Sequence, residues 1–253
     1  MSPGGVRLTI DGAVATVVFD RAGMRNALSM AMYDELSAAC ARIAAAPGLR
    51  AAVFRGANGA FVAGTDIGEF RSFKTGEDGV RYEARLERGV AELEALPLPT
   101  LAVIDGPATG GGLMIATACD LRVASRRSRF GVPVARTLGN CLSRANLMRL
   151  ERAFGQGPTR RMLLLADLLD ASEALDAGFL VALAEPDALE TRVAEILGKL
   201  IANAPLTLAA TRALMSSASA PEEEVVARVY GSRDFKEGVA AFLAKRAPVW
   251  TGE

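Results

Sequence analysis

Apolar residues recur along this chain at two spacings, every second position and every third or fourth, and the switches between them mark its elements. VRLTI and AVATVVF are β-rich runs on either side of Asp11-Gly12, which predicts a hairpin. After RAGMRNAL, Ser29 stands where an N-cap belongs. MAMYDELSAACARIAAA then carries an amphipathic helical pattern, ended by Pro47-Gly48. LRAAVFRG reads as a buried strand and GANGAFVAGTDIGEF as a glycine-punctuated loop. YEARLERGVAELEALP predicts a second helix, closed by Pro97 and Pro99. TLAVID and DLRVAS are further strands, and between them lies GPATGGGLMIATACD, a glycine turn opening an apolar helix.

From about Ser143 the pattern is mainly helical. SRANLMRLERAFG, TRRMLLLADLL, SEALDAGFL, DALETRVAEILGKLIAN, LTLAATRALMSS and a final amphipathic stretch from about Glu222 to Arg246 are the predicted helices. VALAE, near 181–185, is the one late strand. Strands alternating with helices of this length predict an α/β architecture with crossover connections. No linker, repeat or low-complexity tract interrupts it, so the expectation is one domain: a core over 1–190 and a helical extension over 191–253.

Composition narrows the chemistry. The chain has 51% hydrophobic and 23% charged residues, enough for a packed core. Lys+Arg and Asp+Glu both number 29, so no overall charge favours nucleic acid or an anionic membrane, and Arg126, Arg127 and Arg129 read as a solvated turn. The N-terminus lacks a signal-peptide layout, and no apolar run reaches the ~18–20 residues of a membrane span. Cys40, Cys119 and Cys141 are far apart with no CxxC pair, which suits a reducing cytoplasm and argues against a thiolate metal site. There is no histidine. Ser-His-Asp and Cys-His nucleophilic systems, and His-ligated metals, are thereby excluded.

The glycine triplet fits none of the common phosphate motifs: Leu113 and Met114 follow Gly112 where a P-loop needs Lys-Ser/Thr, and Ile115 stands where a dinucleotide fingerprint needs its third glycine. What remains is a helix start with free N–H groups, able to hold an anion or, equally, to pack closely on a strand. GANGAFVAGTDI repeats the arrangement, with Thr65-Asp66-Ile67 at a second helix start. Two backbone donors facing one oxygen form an oxyanion hole, each donor contributing about 2.7–4 kcal/mol to transition-state stabilisation.

Four motifs in order then resemble the crotonase (enoyl-CoA hydratase/isomerase) superfamily over essentially the whole chain. RAGMRNALSMAMYDEL is similar to R-P-x-x-x-N-A-L, with glycine replacing the proline near 23. AFVAGTDI is similar to A-F-x-A-G-x-D-[IL], and IDGPATGGGLMIATACDLRVAS to G-x-A-x-G-G-G-x-x-[LI]-A-x-x-C-D. DFKEGVAAFLAKRAPVWTG resembles the family's closing D-x-x-E-G…K-R-x-P segment.

The resemblance implies a ClpP-like spiral of ββα units with a helical C-terminal trimerisation region, assembled as a homotrimer or as a hexamer (a dimer of trimers). It implies an acyl-CoA thioester as ligand, with coenzyme A part of the substrate, no separate cofactor and no metal, in fatty acid metabolism. The oxyanion donors carry over to the N–H groups of Thr65 and Gly111. Arg25, Ala27, Leu28, Ala63, Asp66, Ile67, Gly68 and Gly110 fall in the CoA and substrate groove. Lys245 corresponds to a lysine that approaches CoA from a neighbouring subunit.

Both glutamates that family hydratases use on water are replaced, by Met114 and Val134. The following stretch, ARTLGNCLSRAN, offers no carboxylate either. Asn140 could orient a water or carbonyl, and Cys141 is its ordinary titrating group, either a thiolate at a helix start or a small buried cysteine. Asp66 and Asp120 read as caps or turn residues. The functional expectation is an enolate-stabilising acyl-CoA enzyme that is not an efficient crotonyl-CoA hydratase. The alternatives are a weakly active acyl-CoA-binding carrier or regulator, and a structural subunit of a larger acyl-CoA complex.

Overall fold

A computed structural model of the chain describes residues 4–216 and 221–253. Strands β1 (Gly5–Asp11) and β2 (Val14–Asp20) lead through α1 (Met30–Ala45) to β3 (Ala51–Gly56). A 3-10 turn, Ile67–Ser72, and α2 (Gly76–Glu94) precede β4 (Thr100–Ile104), the short β5 (Pro107–Thr109) and α3 (Gly111–Ala118). β6 (Leu121–Ser125), β7 (Arg129–Gly131) and the one-turn α4 (Val134–Thr137) follow. Then come α5 (Arg144–Phe154), α6 (Gln156–Leu164), β8 (Leu169–Asp170), α7 (Ala171–Asp176) and β9 (Ala182–Ala184). The last described helices are α8 (Leu189–Ala202), α9 (Pro205–Met215), α10 (Glu222–Tyr230) and α11 (Arg233–Leu243).

The larger sheet runs β1-β2-β3-β4-β6-β9, antiparallel only between β1 and β2. A second sheet joins β5, β7 and β8, and Val62 bridges to Ala108 at its margin. The unit is therefore repeated: a long strand, a short one turned into the second sheet, then a helix. β3 with Val62, β4 with β5, and β6 with β7 each follow it. This is the expected α/β spiral.

Strand alternation divides the core in two. Ala52, Phe54, Ala102, Ile104 and Ala124 face the main cluster under α1, α2 and α3, while Val53, Leu101, Val103 and Val123 face Val193 and Leu189 of α8. By contrast α9 and α10 bury no residue completely, and α11 leaves Phe242 83% and Leu243 76% exposed. No single helix among the described residues is long and apolar enough to cross a membrane.

Four boundaries differ from expectation. The hairpin pairs Asp11 with Val14, so its loop is Gly12-Ala13, with Gly12 in the left-handed region at φ 53°. α2 begins six residues before Tyr82, because Thr75 and Asp78 close a capping box over a glycine-interrupted first turn. The stretch from Glu222 to Arg246 is two helices, broken where the Ser232 hydroxyl accepts from Phe235 N–H and caps α11 afresh. The strands β5, β7 and β8 span only two or three residues, too few to alternate. Ser217, the last residue of the helix expected over LTLAATRALMSS, lies outside the described residues.

Candidate active site

Two loops that sequence places far apart are drawn together by one buried side chain. Asn26 is 1% exposed; its Oδ1 accepts from Arg21 N–H at 2.9 Å, and its amide donates to Ala57 O at 2.9 Å and Ala60 O at 2.8 Å. Arg25 and Asn26 hold left-handed φ values of 47° and 58°, a strained pair that the surrounding bonds impose. Ala63 N–H then donates to Arg25 O, Leu28 N–H to Gly64 O and Asp66 N–H to Leu28 O. Segments 25–28 and 63–66 therefore run side by side. Because Leu28 uses Gly64 O and Asp66 N–H, the intervening N–H of Thr65 points to the opposite side.

That side faces the glycine turn. Gly110 has φ 51° and donates its N–H to Gly131 O, and α3 starts at Gly111. A Cβ at Gly112 would lie 2.1 Å from Val62 O, and one at Gly111 would lie 2.4 Å from the Tyr33 hydroxyl and 3.3 Å from Thr65 Oγ1. The glycines are thus required first for close packing, the alternative that sequence left open. Packing brings Thr65 against Gly111, whose N–H lies in the first helical turn, where no intrahelical acceptor exists.

Beneath this contact the Thr65 hydroxyl joins two phenols, 2.7 Å from Tyr33 Oη and 2.7 Å from Tyr82 Oη. Tyr33 is 2% exposed, and burial pushes its phenol well above the usual range; Tyr82, half-buried, is raised for the same reason. Both rings stay neutral and act as hydroxyl donors and acceptors. Tyr82 is fixed edge-on against Phe70 of the 3-10 turn, with centroids 4.9 Å apart.

Residues 9–253 match the Enoyl-CoA hydratase/isomerase family. The chain belongs to that family. Across 97% of each protein it is 31% identical to the short-chain-enoyl-CoA hydratase of Clostridium acetobutylicum. Its fold superposes on an enoyl-CoA hydratase/carnithine racemase from Magnetospirillum magneticum with TM-score 0.91, at 32% identity over 98% of this chain and 96% of that one. Enoyl-CoA hydratase from Bacillus anthracis gives 0.89 at 27% identity, over 98% of this chain and 99% of that one.

In this enoyl-CoA hydratase/isomerase family enzyme the remaining expected residues are distributed unevenly. Asp66 caps the 3-10 turn through Gly68 N–H and pairs with Arg21 at 2.8 Å; those two partners, in that order, hold its carboxyl below the usual range. Asp120 accepts from Thr100 and Arg212, so both aspartates are structural. Ala27 and Leu28 are buried with their backbone groups bonded within the protein, whereas Arg25, Ile67 and Gly68 are exposed and Ala63 is half-buried. Met114 is fully buried in the first turns of α3, and Val134, half-buried, starts α4.

Cys141 is exposed, two residues before the Ser143 cap of α5, which corrects the buried-cysteine alternative. No hydrogen bond among the described residues ties Asn140 or Cys141 to Thr65 or Gly111. Lys245 is exposed just past α11, in the left-handed region at φ 53°. Arg126 and Arg127 pair with Glu185 and Asp105, as a surface turn would.

Sequence reasoning missed Tyr33, Tyr82 and Glu83. Glu83 Oε2 accepts from Ser143 N–H at 2.8 Å, so the carboxylate-free stretch before α5 does receive a carboxylate, from α2. Burial raises the Glu83 carboxyl above the ordinary glutamate range. The Ser143 N–H opposes this and the neighbouring Glu87 charge adds to it.

Proposed function

We propose that this enzyme binds an acyl-CoA thioester with its carbonyl oxygen between the N–H groups of Thr65 and Gly111, and works through the thioester enolate. The observation that carries the reading is the close approach of the two glycine turns, with Thr65 Oγ1 3.3 Å from the position a Gly111 Cβ would take. The positive end of α3 lies behind that point and favours a developing oxyanion. Arg25, Gly68 and Gly110 then border the CoA groove, and Ala63, Asp66 and Ile67 flank it.

Crotonyl-CoA hydration is not the main reaction on this reading. Water addition needs groups that exchange protons with water and with the α-carbon, and neither Met114 nor Val134 can do so. The helices α9–α11, with Phe242 and Leu243 exposed, support assembly as a trimer or a hexamer.

The test is thermal. Several acyl-CoAs at a hundredfold excess over Kd are expected to stabilise the protein by about 2.7 kcal/mol, since a ligand of the folded state alone shifts unfolding by mass action. No shift with any CoA thioester would remove both the enzyme and the carrier readings, and stabilisation without turnover of any acyl-CoA would favour the carrier. Crotonyl-CoA hydration with kcat/KM near ~10^7–10^8 per molar per second would overturn the assignment of Met114 and Val134.

A further inference from the structure

The family resemblance accounts for the oxygen of the thioester and leaves the proton unaccounted for. One carboxylate outside the matched motifs, Glu83, lies close enough to Tyr33 and Tyr82 to act on both phenols. Tyr82 bonds Thr65, whose N–H is the proposed donor, and Glu83 is the next residue of α2. Its carboxylate reaches the segment that follows Val134, held there by Ser143 N–H at 2.8 Å. Other carboxylates of this region, though not Glu92, are paired with arginine. Asp66 pairs with Arg21, Asp78 with Arg81, Asp34 with Arg85, and Glu87 with Arg149. Glu83 is half-buried and, among the described residues, has no cation within salt-bridge distance. A desolvated carboxylate left without a counter-ion beside an oxyanion site is costly for folding and useful for chemistry.

We propose that Glu83 is the acid–base group of this site, exchanging a proton with the α-carbon of the bound thioester. This rests on the oxyanion reading of Thr65 and Gly111. In the forward step the Glu83 carboxylate takes the α-proton. The C–H electron pair becomes the carbon–carbon double bond of the enolate, and the carbonyl π pair moves onto the oxygen held by the two N–H groups. In the reverse step the protonated Glu83 returns a proton to the α-carbon. Burial strengthens Glu83 as a base, and the apolar Met114 and Val134 keep competing water from the α-carbon. The acid–base function that most relatives are expected to draw from α3 and the chain after β7 is thus supplied from α2.

Exchange into a saturated substrate tests this whatever the complete reaction is. The full-length enzyme is incubated with butyryl-CoA in D2O, and deuterium at C2 is followed by mass spectrometry. Wild type is expected to exchange. Glu83→Gln, which still accepts from Ser143 N–H, is expected to lose at least about 100-fold in rate, while the butyryl-CoA shift in Tm is unchanged. Glu83→Asp is expected to recover part of the rate, and Glu87→Gln, one turn along, to exchange as wild type does. Exchange by Glu83→Gln at the wild-type rate would overturn the proposal. So would a wild type that butyryl-CoA stabilises but that incorporates no deuterium, and in that case the oxyanion reading stands. If no CoA thioester stabilises the wild type, both readings fall together.

Discussion

The two halves of α2 treat buried charge in opposite ways. Toward the C-terminus Arg149 is 7% exposed and spends all five donors: Nε on Glu94, Nη1 on Glu87 and Asn146, Nη2 on Glu87 and Glu94, at 2.6–3.0 Å. One turn before Glu87, Tyr82 and Glu83 enter the same interior with hydroxyls and one backbone N–H for company. One half is a closed ionic cluster tying α2 to α5. The other leaves a carboxylate uncompensated beside the glycine turns. Arg149 of α5 reaches Glu87 and Glu94, no arginine reaches Glu83, and that difference separates what ties α2 to α5 from what the site can use.

Removing the cation from the closed half gives the largest effect. Arg149→Ala leaves the partly exposed Glu87 and Glu94 without their cation and the Asn146 carbonyl without its donor. Loss of one member of a buried ion cluster costs about 3–5 kcal/mol. Urea unfolding is expected to show a loss of that size, a large share of a typical domain's total. A loss below ~1 kcal/mol would mean that the cluster is solvated like a surface pair, and the contrast between the two halves would disappear.

A smaller loss is expected from the open half. Thr65→Val keeps the β-branched shape and the backbone N–H but takes the shared hydroxyl partner from Tyr33 and Tyr82, leaving the two phenols only each other. Unsatisfied buried hydroxyls cost about 1–3 kcal/mol, again read by urea unfolding. The stabilisation conferred by acyl-CoA is expected to persist, because the proposed oxyanion donor is the N–H and not the hydroxyl. A lost ligand shift with intact folding would show that the hydroxyl chain holds the ligand directly.

How much of this was legible in the sequence divides along similar lines. Local rules placed Ser29 as a cap, ended α1 before Pro47-Gly48 and found both glycine turns. The family resemblance assigned 25–28 and 63–68 to one groove, and the structure lays 25–28 alongside 63–66. What escaped was long-range. Tyr33 reads as one more core position of α1, and nothing local says that its hydroxyl meets Thr65 thirty-two residues on. Glu83 reads as the polar face of an amphipathic helix whose stripe is Tyr82, Leu86, Val90 and Leu93. Its place beside that stripe was readable, but its partner sixty residues away was not. The stretch before α5 looked free of carboxylates for the same reason: a sequence window cannot contain a group delivered by another helix.

The smallest expected effect is also the sharpest, because one substitution is predicted to change sign within a single turn of helix. Glu87→Gln removes a charge that Arg149 grips with two hydrogen bonds, and about 1–2 kcal/mol of stability should go with it. Glu83→Gln removes a charge that nothing balances. The groups around Glu83 are the Ser143 N–H, the neutral phenols of Tyr33 and Tyr82, and the like charge of Glu87. Its carboxyl is raised in the folded protein, so between the unfolded and folded values the native state holds more protons than the unfolded chain. Stability there falls as pH rises. The penalty is absent below the ordinary glutamate range and complete above the folded value. Glu83→Gln is therefore expected to melt higher than wild type at pH 8, by less than Glu87→Gln loses, and the gain should vanish as pH is lowered through the ordinary glutamate range. A lower Tm for Glu83→Gln at pH 8 would make Glu83 a structural acceptor for Ser143, no different in kind from Glu87.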